Sequence, residues 1–150
     1  MNDDVLIHRL AADDLANLVI GDFVASGQTR DVYVWRPDPS CVVKVQRFGA
    51  PWFQNITEYE TWHAARGTPA EKWLAPVCWC SRSGHILVQK RTYPTDKPLP
   101  RSIPKFLEDS KRSNWGLWDG RMVCHDYGTA SAINNGVRSK ATYRPKWREE

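Results

Sequence analysis

The sequence predicts an α+β fold: a five-stranded antiparallel sheet, interrupted by one helix after its third strand, followed by a much smaller unit built around a β-hairpin. Three observations lead there. Short valine-rich runs of alternating side chains recur before residue 93, and one segment among them has helical spacing. A cluster of prolines then separates both from an Asp-Gly turn flanked by apolar runs.

Taken in order, Leu10, Leu15 and Leu18 are spaced loosely like a short helix over residues 10–18, and residues 18–25 form a strand broken at Gly21-Asp22. Residues 28–35 alternate, with Val32 and Val34 on one face and Tyr33 and Trp35 on the other. Pro37-Asp38-Pro39-Ser40 then turns the chain into the strand 41–45. Residues 52–66 set Phe53, Ile56, Tyr59 and His63 at helical intervals, and Gly67 and Pro69 stop that helix. Strands at 73–80 and 85–89 follow, joined by a hairpin through Ser81-Arg82-Ser83-Gly84. Pro94, Pro98, Pro100 and Pro104 exclude a helix or central strand, so residues 94–104 form an extended crossing segment. Asp119-Gly120 lies between two apolar runs and suits a type I′ hairpin, because both central residues of that turn need positive φ.

Hydrophobic residues at 41% and charged residues at 25% suit a folded domain, and no apolar run approaches the ~18 residues that span a bilayer. Met1-Asn2-Asp3-Asp4 is acidic and lacks the basic start of a secretory signal, so a cytoplasmic location with free thiols is expected. Cys41, Cys78, Cys80 and Cys124 then read mainly as small buried hydrophobes. Cys78-Trp79-Cys80 lacks the spacing of a zinc knuckle and would direct both thiols to one face of a strand. The net charge of +4 is concentrated near the C-terminus, where Arg138, Lys140, Arg144, Lys146 and Arg148 alternate with Tyr143 and Trp147. A solvated tail is the ordinary reading of that segment, and a nucleic-acid contact is the alternative.

The residues with chemical potential fall in a definite order. Ala25-Ser26-Gly27-Gln28-Thr29-Arg30-Asp31-Val32 occupies the frame of G-x-G-x-x-G-x-V, keeping its middle glycine and its valine. Lys44 ends an apolar strand run, and the following helix offers Glu58 and Glu60, of which Glu58 is preferred because Trp62 lies one turn on to back it. Farther along, Asp109 and Asn114 have D-x-x-x-x-N spacing, and Asp126-Tyr127-Gly128 follows the hairpin. Each of these has a plain reading as a turn residue, a strand-edge lysine or a solvated helix carboxylate. Together, in this order, they resemble the protein-kinase-like superfamily, truncated, and in particular small bacteriophage-encoded proteins of that type.

The resemblance implies a kinase-like N-lobe over residues 18–93, a linker over 94–104 and a reduced C-lobe over 105–128. Residues 1–17 are then an extension and 129–150 a basic tail. It implies ATP and Mg²⁺ as cofactors, with Gly27, Val32 and Lys44 on the nucleotide. Glu58 would hold Lys44, Asp109 would act as base, and Asn114 and Asp126 would ligate the metal. Leu107-Glu108 departs from the family's His-Arg, and little chain follows Gly128 to form a peptide platform. Two functions therefore compete. One is a minimal Mg-ATP-dependent phosphotransferase, and the other is a catalytically inactive, pseudokinase-like module that binds and inhibits a host protein in the host cytoplasm. The cleft is then open, metal-competent or filled by side chains such as Tyr127 or Arg30.

Overall fold

The computed structural model describes residues 3–129 and 136–149; residues 1–2, 130–135 and 150 of the expected extension and tail lie outside the described residues. The fold is α+β. Helix α1 (Asp3–Val19) leads into β1 (Ile20–Ser26), β2 (Arg30–Trp35) and β3 (Cys41–Gln46), and α2 (Gln54–Ala65) precedes β4 (Val77–Cys80) and β5 (Ile86–Lys90). These strands form one sheet of order β1-β2-β3-β5-β4 with every pair antiparallel. The strand β6 (Ile103–Pro104) pairs with β9 (Thr142–Tyr143), and β7 (Trp115–Trp118) pairs with β8 (Arg121–Cys124).

The central strand β3 is buried along nearly its whole length, and alternation assigns its residues to two faces. Cys41, Val43 and Val88 pack with Tyr33, Trp35 and Val45 on one face. Lys44 stands opposite Val32 on one neighbouring strand and Leu87 on the other, which puts a cation in an apolar row facing the second unit. The main core joins Trp62 and Ala65 of α2 to Leu74, Leu87, Phe106, Trp115 and Tyr127.

Several elements differ from their expected form. Helix α1 runs well beyond residues 10–18, yet Ile7, Leu10, Leu15 and Leu18 are all exposed. With no buried stripe, its helical period is weak in the sequence. Gly21 does not break β1 but sits in a bulge, where a Cβ would lie 3.0 Å from the Val34 carbonyl oxygen. The strand expected over 73–80 shrinks to β4, because residues Glu71–Trp73 form a 3₁₀ turn that sends Trp73 onto Trp115. A register shift falls between Val77 and Trp79, and Cys78 and Trp79 are exposed, against the reading of Cys78 as a buried hydrophobe. Asp119 and Gly120 have φ of 50° and 74°, as the I′ hairpin requires.

The segment read as a solvated basic tail keeps Arg138, Lys140, Arg144, Lys146 and Arg148 exposed, but it is anchored at three apolar residues. Val137 is buried, the Tyr143 hydroxyl donates to the Leu107 carbonyl at 2.8 Å, and Trp147 meets Trp115 edge-on while donating to the Pro100 carbonyl at 3.2 Å. Its aromatic residues, interleaved with the basic ones, anchor it. Trp147→Ala is therefore expected to cost about 2 kcal/mol, less than for a fully buried tryptophan, as a shift of the urea unfolding midpoint.

Candidate functional site

The site begins on the polar face of α2. The residues of α2 that are buried are Asn55, Glu58, Thr61, Trp62 and Ala65, so the helix is rotated away from the face marked by Phe53, Ile56, Tyr59 and His63. Phe53 instead meets His85, and Tyr59 stacks edge-on with His63 near the surface. A helix can bury a carboxylate and an amide only if both are fully hydrogen-bonded. Here they are.

Lys44 Nζ donates to Glu58 Oε2 at 2.9 Å and to Oε1 at 3.2 Å, and also to the His125 carbonyl oxygen. One terminal nitrogen of the Arg30 guanidinium donates to Glu58 Oε1 at 2.7 Å and to Asp126 Oδ1 at 2.9 Å, and the other donates to Asn55 Oδ1 at 3.0 Å. Asn55 in turn donates to the carbonyl oxygens of Lys44 and Gly84, and the Tyr127 amide donates to Glu58 Oε1 at 3.2 Å. Glu58 is wholly buried, and Lys44 and Arg30 nearly so. Two cations thus face two carboxylates in a closed network. Backbone contact brings the parts together: a Cβ on Gly128 would lie 2.6 Å from Gln54 Cβ and 3.0 Å from its carbonyl oxygen, so this glycine lets the Asp126 segment press against α2.

Burial drives the Glu58 carboxyl toward higher pKa, but the Arg30 guanidinium and Lys44 ammonium outweigh it and hold the group at about 2. Burial also pulls the Lys44 ammonium below the ordinary lysine value, with Glu58 opposing and the second cation, Arg30, adding to the effect. His125 accepts or donates at both ring nitrogens, Nδ1 with Thr92 Oγ1 at 2.7 Å and Nε2 with the Ser113 carbonyl at 2.9 Å. A carbonyl can only accept, so Nε2 carries the proton and Nδ1 receives the threonine hydroxyl's. Burial and the Lys44 charge lower this imidazole to about 4, so it is neutral near pH 7.

Beside Lys44 opens a cavity of about 460 Å³. Val24, Ala25, Val32 and Val42 of the sheet line it, together with Lys44, Thr92, Trp115 and His125. That size and mixture, apolar walls with a few polar groups, suit a small organic ligand.

The expected site residues are distributed unevenly around it. Val32 and Lys44 line the cavity, Glu58 holds Lys44, and Asp126 joins the cluster through Arg30. Gly27 lies in the β1–β2 turn, where its amide donates to the Arg30 carbonyl and a Cβ would meet only that oxygen at 3.8 Å. It is not among the cavity's lining residues. Asn114 is buried at the end of a 3₁₀ turn, and its carbonyl accepts from the His125 amide. Asp109 accepts from Arg148 at 2.6 Å and shares a small void of about 10 Å³ with Asp126 and Tyr127. Arg30, Asn55 and His125 are the members that spacing did not mark as polar partners. Asn55 stands three residues before Glu58, on the same helical face, and that spacing is a signal by which it could have been found.

One oxygen of the expected magnesium ligand set is already engaged. An Asn114 amide oxygen and an Asp126 carboxylate would have to converge on the ion, but Asp126 Oδ1 faces the Arg30 guanidinium. No group of three or more His, Cys, Asp or Glu side chains suited to a metal occurs among the described residues. Nor is any helix among the described residues long and apolar enough to cross a membrane. The chain matches no protein-family model and no curated protein sequence.

Proposed function

We propose that this protein is a kinase-like nucleotide-binding protein whose ligand occupies the 460 Å³ cavity. The observation that carries the reading is Lys44, held by Glu58, lining a mainly apolar cavity with Val32 and Val42. A purine suits the aliphatic walls, and Lys44, which lines the cavity with Lys90 and Arg112, offers a cation for its phosphates. Glu58, fixed from α2, sets the lysine's position. Resemblance in residue order and agreement in sheet order support the same reading.

Titration with ATP tests it. Millimolar ATP should raise the melting temperature, since a ligand that binds only the folded state stabilises it by RT ln(1 + [L]/Kd). Val32→Trp should abolish that rise by filling the cavity while leaving the unliganded protein folded. A wild-type protein whose melting temperature ATP does not move would overturn the assignment.

A second reading, a catalytically silent binding module, is favoured by the two engaged carboxylates. Asp126 has one carboxylate oxygen on Arg30, and Asp109 has one on Arg148, which competes with service as base or ligand. In this form nucleotide binding persists without phosphoryl transfer, and the function is exerted on a protein partner, a host protein if the chain is phage-encoded. Exposed Trp52 and Trp79 are available to such a partner. Bound ATP with no phosphate release above buffer favours it over the phosphotransferase. Nucleic-acid binding through residues 136–149 is the weaker reading, because Arg148 and Trp147 are engaged internally.

A further inference from the structure

We propose that Arg30 is a built-in counter-cation that takes the place of a divalent metal, so that the protein binds its nucleotide without one. The inference rests on the nucleotide reading for its ligand, but on the cluster alone for its cation. A single guanidinium nitrogen lies 2.7 Å from Glu58 Oε1 and 2.9 Å from Asp126 Oδ1, bridging two carboxylates as a bound cation would. Asn55 Oδ1 holds the other terminal nitrogen at 3.0 Å, which fixes the guanidinium plane.

Charge reinforces the geometry. Arg30 and Lys44 balance Glu58 and Asp126, so a divalent ion at the half-exposed Asp126 would add positive charge beside the buried Arg30 and Lys44. Arg30 has little freedom to withdraw. It is 4% exposed, its carbonyl is tied to the Gly27 amide, and the preceding Thr29 hydroxyl donates to Gln54 Oε1 at 2.6 Å on α2. An arginine cannot be neutralised by proton loss at accessible pH, so the counter-charge is permanent.

Mn²⁺ alone, followed by electron paramagnetic resonance on the full chain, tests the cation claim without any nucleotide. Wild type should leave millimolar Mn²⁺ free, and Arg30→Gln should gain binding that a further Asp126→Asn change removes. A gain of about tenfold or more is expected, comparable to what groups supporting a metal site contribute. Wild-type Mn²⁺ binding that Asp126→Asn abolishes would overturn the proposal, and so would a folded Arg30→Gln protein that gains none. Should Arg30→Gln fail to fold, wild-type calorimetry decides: equal ATP affinity with EDTA or with Mg²⁺ supports the proposal, and affinity at least about tenfold higher with Mg²⁺ contradicts it. ATP that binds under neither condition defeats the nucleotide reading, while the Mn²⁺ experiment still judges Arg30.

Discussion

Glu58→Ala is expected to lower the unfolding free energy by about 3–5 kcal/mol, close to the whole stability of many domains of this size. The carboxylate is the common partner of Lys44, Arg30 and the Tyr127 amide, and all three are buried around it. Its removal leaves Lys44 with only the His125 carbonyl and shifts Arg30 wholly onto Asp126 and Asn55. The loss comes from stranded charge more than from a missing contact. Glu60, two residues later and exposed, provides the control. Glu60→Ala should change stability by less than about 0.5 kcal/mol in the same urea titration. Equal effects at the two positions would contradict the network described for α2.

The second large effect is on acid stability, and it has two stages. His125 is held near 4 in the folded protein against an ordinary 6.5, so between those values the unfolded chain binds a proton that the folded chain does not. Its contribution is fully present above pH 6.5 and is lost as the pH falls toward 4. Lys44, Asp126, Glu58, Thr92 and the Ser113 carbonyl surround the ring, and Lys44 is the charge that opposes its protonation. Allowing for partial exposure of the ring, this stage is worth on the order of 2 kcal/mol. Glu58 follows: its contribution, roughly 3 kcal/mol, is present above 4.5 and lost as the pH falls through about 2. Urea midpoints measured from pH 7 to pH 3 should therefore decline in both ranges, and His125→Gln should remove the decline above pH 4.5 only. A wild-type midpoint that stays constant from pH 7 to pH 4.5 would contradict the assignment of His125 as a buried neutral imidazole.

The legible parts of the fold were those written in local pattern. Alternation in Val32–Trp35 and Cys41–Val45, the helix stop at Gly67 and the Asp119-Gly120 turn all carry their geometry in neighbouring residues. Lys44 and Glu58 were legible as a pair only through the resemblance in residue order, since no local spacing links a strand lysine to a helix carboxylate. The orientation of α2 was not, since hydrophobic periodicity points to Phe53 and Ile56, whereas the buried face mixes Trp62 and Ala65 with Asn55 and Glu58, whose partners are distant in sequence. Arg30 was hidden for the same reason: its acceptors lie on α2 and beyond β8, contacts that no local spacing encodes. The C-terminal segment read as solvated because its lysines and arginines dominate its composition, while Val137, Tyr143 and Trp147 do the packing.

A crystal structure with a nonhydrolysable ATP analogue, at saturating concentration and free of divalent ions, tests the central claim most directly. The predicted result is a purine against Val32 and Val42, facing Trp115, with its phosphates directed toward Lys44 and the Arg30–Asp126 pair intact. An empty cavity under those conditions, or an analogue bound elsewhere on the surface, would contradict it.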